Sequence, residues 1–266
     1  MLEQEHSQFR LSVRLGQEIL LMASRPFIAP HDFRAILRRI IELTPTTKHF
    51  EWEVLDEAPL NFLAGQFLSL KVWRNGDQET RPYSIASAPR GDLRFDLCLN
   101  RVEGGYVSNY LCDLQEGSVV DFSGPYGSFV VSQPVARNLV FLATGTGIAP
   151  IRGMLMGLFT REVENSPEIW LLFGVRSPET ILYRSEFERW ATVIPGFHFV
   201  PILSRPPAEW RGAAGHVQDH LRLLLSRYKD FQAYICGLKG MVDEVRRILK
   251  DEFGLNRKQI RSERYD

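Results

Sequence analysis

The chain has 266 residues, 44% hydrophobic and 24% charged, the composition of an ordinary globular protein with room for two medium domains. Lysine plus arginine and aspartate plus glutamate both total 32, so the net charge is zero and nothing points to general nucleic-acid binding. Three scattered cysteines, Cys98, Cys112 and Cys236, with no CxxC between them, exclude a disulfide framework and an iron–sulfur cluster held by this chain alone.

Residues 1–32 read as an N-terminal extension. Leu11, Leu15, Ile19 and Met22 recur at helical spacing and predict one amphipathic helix, ended by Pro26 and Pro30, with packing as its expected role. Its longest apolar run, Ile19 to Ala23, is far short of a membrane span and short for a signal-peptide core, so the cytoplasm is the expected setting.

Residues 33–132 carry a β pattern. "FRAILRRIIEL", "FEWEVLD", "QFLSLKVW", "TRPYSIAS", "LRFDLCLN" and "SVVDFSGPYGSFVV" are short alternating or apolar runs. Turn signals at Asn75-Gly76-Asp77, Pro89-Arg90-Gly91-Asp92 and Gly104-Gly105 separate them, which predicts a small antiparallel β-barrel of roughly six strands. After Ser132-Gln133-Pro134 the period changes. Strand-like "NLVFLATG", "EIWLLFGV", "FHFVPILS" and "FQAYICG" alternate with helix-like "APIRGMLMGLFTREV", "RSEFERWATV", "VQDHLRLLLSRY" and "GMVDEVRRILKDEF". Residues 136–266 are thus expected to form an α/β domain with a doubly wound parallel sheet of about five strands.

Three stretches carry chemistry. "ATGTGIAP", residues 143–150, joins a buried strand to a helix, where backbone N–H groups and the helix dipole suit a nucleotide phosphate; a tight turn alone would also use Gly145 and Gly147. "GGYVSNYL", residues 104–111, sets glycines before Ser108 and Asn109 at a helix start, which suits an anion or a simple N-cap. In "RPYSIASAP", residues 81–89, Arg81 and Tyr83 point to one face and Pro82 and Ser84 to the other. Arg81 can pair with a phosphate, Tyr83 can present a flat face to a ring, and Ser84 can hydrogen-bond a ring nitrogen. An exposed arginine beside a core tyrosine is the plain alternative.

Taken in order, "YSIAS", "SNYLCDL", "GTGIAP", "LLFGV", "CGLKGM" and the closing "ERY" resemble the plant-type ferredoxin–NADP reductase family, from about Phe33 to the end of the chain. The resemblance implies an FAD-dependent enzyme. Nicotinamide delivers hydride to flavin N5, and a one-electron carrier, a ferredoxin or flavodoxin, exchanges electrons with the flavin. It places Arg81, Gly105 and Ser108 on the flavin pyrophosphate, Tyr83 against the isoalloxazine and Ser84 near N5. Gly145, Thr146 and Gly147 would line the nicotinamide nucleotide's diphosphate, with Cys236 and Gly237 beside the nicotinamide. Glu263 matches the family's near-terminal glutamate for proton exchange and charge balance. Tyr265 matches the terminal tyrosine that covers the flavin's other face. For Cys236 inert packing is the plain alternative, and for Glu263 and Tyr265 a disordered tail.

The chain also departs from the family. Asp266 follows the tyrosine where the plant enzymes stop, which puts the stacking of Tyr265 in question. "LNRVEGGYVS" is shorter than its plant counterpart, which carries a tyrosine for the adenine, so FMN stands as the alternative to FAD. Ser204-Arg205 matches the family's pair for the 2′-phosphate of NADP, with Arg211 as a further cation. Ala214 and His216 replace a Lys-x-Tyr pattern, and "WRGAAGHV" resembles NADH-using relatives. NADP is the expected coenzyme, with NAD the alternative. Two other functions fit less of this pattern: the NADH-using reductase subunit of a larger oxygenase or hydrogenase complex, and a non-enzymatic flavin-binding sensor, which would not need Ser84, Cys236 and Glu263.

Overall fold

The computed structural model describes residues 29–56, 60–160, 167–225 and 230–265. The helix expected within residues 1–28 lies outside them, as does Asp266.

The first sheet is antiparallel. It contains β1 (His31–Thr44), β2 (Thr47–Val54), β3 (Phe67–Arg74), β4 (Asp77–Ser84), β5 (Arg94–Asn100) and β6 (Val119–Tyr126), in the order β4-β3-β6-β1-β2-β5. The two edges meet at a bridge between Ile85 and Leu97, which closes the sheet into the expected barrel. Period-two alternation drives it: along β3, Leu68, Leu70 and Val72 are buried and the residues between them face outward. The β3–β4 hairpin turns on Asn75 and Gly76, both at positive φ (52° and 92°), a turn whose twist matches the strands and which asparagine and glycine tolerate best. Inside, Trp52 stacks on Phe95 at 6.4 Å, and Phe122 meets both edge-on. Helix α1 (Tyr106–Asp113) closes one end, adding Val107, Leu111 and Cys112 to this core.

The second sheet is parallel throughout. It contains β7 (Asn138–Thr144), β8 (Ile169–Val175), β9 (Phe197–Leu203), β10 (Ala213–Ala214), β11 (Phe231–Leu238) and β12 (Ile260–Tyr265), in the order β10-β9-β8-β7-β11-β12. One face packs on α2 (Ile148–Phe159) and α3 (Arg184–Val193) through Phe141, Phe173, Leu155 and Phe187. The other packs on α4 (Val217–Leu225) and α5 (Lys239–Asp251) through Leu142, Leu221, Val245 and Ile248. This is the doubly wound arrangement expected. Six strands replace the expected five. Four of the six are the strand-like runs named above; the other two are the two-residue β10 and β12, whose "IRSERY" closes the chain. No residue of β12 is fully buried, so no apolar run announces it; its pairing with β11, from Ala233↔Ile260 to Leu238↔Tyr265, makes it a strand. Ala86, Cys98 and Phe129 from the barrel side join the α2–α3 core, so the domains share apolar packing.

The Trp52 side chain is fully buried, and its indole N–H has no hydrogen-bond partner among the described residues. Trp52→Ala is expected to destabilise the protein by about 3–5 kcal/mol through the cavity it leaves. Trp52→Phe also removes the unpaired donor and is expected to cost less than half of that. Denaturant unfolding of the two variants checks the order.

Candidate active site between the two sheets

The end of β4 meets the end of β12. Ser84, only 6% exposed, donates its hydroxyl to Oε1 of Glu263 at 3.0 Å, and the Tyr265 hydroxyl donates to Ser84 Oγ at 2.5 Å. Register places Cys236 of β11 beside Glu263, and its thiol interacts electrostatically with the Tyr265 phenol. The four residues expected to be catalytic, Ser84, Cys236, Glu263 and Tyr265, therefore form one cluster. Burial raises the pKa of the Glu263 carboxyl, against the opposing pull of the Ser84 hydrogen bond. Burial also drives the Cys236 thiol and Tyr265 phenol well above their usual values.

Opposite this cluster, β7 runs through a single 3₁₀ turn, Gly145–Gly147, into α2. A side chain on Gly147 would strike the Cys236 carbonyl and come within 2.7 Å of the Gly237 nitrogen. Gly237, at φ +144°, passes so close to Thr144 that a Cβ there would collide with its hydroxyl, which accepts from the Leu238 N–H at 3.1 Å. Gly145, at φ +54°, faces open space. The turn is thus pressed against β11 on one side and clear on the other, a cradle that fits a diphosphate.

At the barrel end, α1 packs against β4. Gly105 is its N-cap, and no side chain caps its first turn. The Ser108 hydroxyl accepts from the Val102 N–H and donates to the Gly105 carbonyl, both at 3.2 Å, so it braces the preceding turn rather than capping the helix. The Arg81 guanidinium is exposed and, among the described residues, bonds only the Thr80 carbonyl, at 2.8 Å. Tyr83 is half-buried against the barrel core, which pushes its phenol up to about 12.

Ser204 and Arg205 follow β9 and are exposed. Their N–H groups bond the carbonyls of Val175 and Arg176 at 3.0 and 2.9 Å, so strand pairing continues past β8 and brings Arg176 beside Arg205. Among the described residues neither guanidinium has a partner, whereas Arg211 donates to the Ala208 carbonyl at 3.0 Å. Sequence reasoning missed Arg176. The signal was the parallel partner strand, whose end must lie level with Ser204-Arg205.

Residues 34–131 match the oxidoreductase FAD-binding domain and residues 141–247 the oxidoreductase NAD-binding domain. Ferredoxin–NADP reductase B of Sorangium cellulosum is 36% identical over 248 residues, covering 90% of this chain and 100% of that protein. The chain belongs to the ferredoxin–NADP reductase family. The phenol 2-monooxygenase reductase component of a Pseudomonas species is 31% identical to this reductase over 216 residues; the match covers 80% of the chain and 60% of that protein. The crystal structure of the Amycolatopsis cytochrome P450 reductase GcoB superposes with a TM-score of 0.77 at 26% identity, covering 88% of this chain and 70% of that one. The reductase is therefore an oxidoreductase with FAD- and NAD(P)-binding domains. Among its described residues no helix is long and apolar enough to cross a membrane.

On β2 the reductase buries His49, whose Nδ1 lies 2.9 Å from the Tyr183 hydroxyl. Burial lowers its pKa to about 4, with Asp96 pulling the other way. The unfolded chain takes up a proton near pH 6.5, which folded His49 resists until about pH 4. The unfolded state thus binds more protons in that window, and His49 lowers stability as pH falls through it. From pH 7 to pH 5 the wild type is expected to lose about 2 kcal/mol more than His49→Gln, measured by denaturant titration.

Proposed function

We propose that this reductase passes electrons between NADPH and a one-electron carrier, a ferredoxin or flavodoxin. The observation that carries the reading is the Tyr265–Ser84–Glu263 hydrogen-bonded chain, which brings the flavin-side strand and the nicotinamide-side strand to one point. FAD, when bound, takes up a hydride as an electron pair and releases electrons singly, and the protein supplies alignment and electrostatics.

In this reading Arg81 and the uncapped first turn of α1, from Gly105 to Ser108, hold the FAD pyrophosphate. Tyr83 presents its ring to the isoalloxazine. The Ser84 hydroxyl stands at the hydride-receiving edge, and Glu263 behind it takes or gives a proton. The raised pKa of Glu263 brings it nearer the working pH, which suits that exchange. Cys236 and Gly237 border the nicotinamide, and their close backbone packing fixes the floor on which it lies. Gly145, Thr146 and Gly147 cradle the coenzyme diphosphate. Ser204 and Arg205, joined by Arg176 at the end of the paired strand, take the 2′-phosphate; two exposed arginines at neighbouring strand ends, without carboxylate partners among the described residues, favour NADPH over NADH. Tyr265 occupies the stacking position and must release Ser84 for nicotinamide to enter. The three cysteines are all free and buried, which supports the reading of a reducing compartment such as the cytoplasm.

The purified protein is expected to be yellow, to yield one FAD per chain on extraction and to bleach under anaerobic NADPH; FMN in the extract removes the adenosine site from this account. Arg205→Ala and Arg176→Ala are each expected to weaken NADPH binding about ten- to a hundredfold and to leave NADH nearly untouched. Equal losses for both coenzymes would separate the pair from the 2′-phosphate. Tyr265→Ser is expected to tighten binding of oxidised nucleotide and to narrow the preference between NADP and NAD, read by difference spectroscopy. Removing the cover frees nicotinamide binding energy that both coenzymes share.

A further inference from the structure

Arg152 lies in α2, five residues past the Gly147 turn, and its side chain is only 11% exposed. Its guanidinium donates to the Ala86 carbonyl at 2.7 Å, to Asp96 at 3.3 Å and to both oxygens of Glu186 at 2.8 and 3.1 Å. It also lies over the Tyr183 ring, 4.6 Å from the centroid. Ala86 is two residues beyond Ser84, and its own N–H bonds the Asp96 carbonyl at 2.8 Å. Asp96 takes a second cation, Arg90, at 2.7 Å, and its N–H donates to the Ser87 hydroxyl at 3.0 Å. The next residue of α2, Gly153, lies so close to this segment that a Cβ would come within 2.7 Å of the Ser87 carbonyl.

One arginine thus ties three things together: the backbone just beyond Ser84, a barrel strand, and the helix that begins at the coenzyme turn. We propose that Arg152, seated by the close approach at Gly153, is a positioning residue that sets the alignment of the nicotinamide against the flavin. The inference rests on the proposed hydride transfer between these two groups. Its physical basis is that the Ala86 carbonyl is held to a guanidinium on the helix that continues from the Gly145–Gly147 turn, so the two domains cannot shift at this point without breaking a charge-assisted bond. Only a planar, multidentate cation makes these contacts together. A lysine ammonium at this site can satisfy some of them but not all. Arg152 itself touches neither substrate nor cofactor in this account.

The test uses the FAD-loaded protein and two changes of different kind. Arg152→Lys keeps the charge and loses the fork. Gly153→Ala keeps every charge and forces α2 and the Ser87 backbone apart, because its Cβ would lie 2.7 Å from the Ser87 carbonyl oxygen. Each is expected to slow flavin reduction at saturating NADPH by about ten- to a hundredfold, with coenzyme affinity held within about threefold. Each should also weaken the long-wavelength charge-transfer absorbance of the nicotinamide–flavin pair in parallel with the rate. A purely structural role would lower the unfolding midpoint and leave the saturating rate and that absorbance at wild-type values, and this result overturns the proposal. If Arg152→Lys does not retain FAD, Gly153→Ala decides by the same readouts. A wild type that NADPH does not reduce overturns the proposed function and this inference with it; a wild type that is reduced, beside unaltered variants, overturns the positioning role alone.

Discussion

The hydroxyl of Ser84 joins residues 179 and 181 positions away in sequence, and the site exists only where that junction is made. A buried hydroxyl and a buried carboxyl left unpaired are costly, so the junction favours one placement of the two sheets. It also favours one register of β12 on β11. A slip of a single residue would turn Glu263 and Tyr265 to the opposite face of the sheet, away from Cys236 and Ser84. The shared apolar core that includes Ala86, Cys98 and Phe129 supplies the general attachment, and the hydroxyl supplies the point.

The arginines divide by what surrounds them. Arg152 is deeply placed and answered by Asp96 and Glu186, so its charge is spent within the fold. Arg81, Arg176 and Arg205 are exposed and have no carboxylate beside them among the described residues. An unanswered guanidinium on the rim of a cleft attracts anions, and the two ends of the site where these arginines lie are those proposed to receive phosphates. Between the ends the groups are held toward their neutral forms: burial raises the pKa values of Glu263, Cys236 and Tyr265 alike. Exposed arginines stand at the ends and hydroxyl, thiol and carboxyl groups at the centre, which suits a ligand with a flat ring at one end and phosphates at the other.

Much of this was legible beforehand because it is local. Alternating apolar residues gave the barrel strands, Asn75-Gly76 gave a hairpin, and the glycines of "GTGIAP" announced a close approach. The structure supplies its partner in the Cys236–Gly237 backbone. What stayed hidden depends on pairing across long stretches of chain. "IRSERY" reads as a polar tail because an edge strand with every side chain at least partly exposed carries no apolar period. Arg152 stands in a helix-like run with no motif of its own, and its partner Asp96 lies 56 residues before it. Ser108 looks like a cap in sequence and proves to be a brace, a distinction made by the direction of its hydroxyl. Arg176 carries no motif of its own and gains meaning only from the neighbouring strand.

The burial of the cysteines has a chemical consequence. Burial raises the Cys98 thiol to about 11, raises Cys112, and raises Cys236 well above the ordinary thiol value. Oxidants such as hydrogen peroxide, and alkylating agents, attack the thiolate, and accessibility governs the rate. At neutral pH these three thiols offer almost no thiolate, and none of them is exposed. Cys236 therefore sits beside Glu263 and Tyr265 as a neutral S–H group, slow to form sulfenic acid. A labelling reagent that modifies it in the folded protein reports that β11 and β12 have parted.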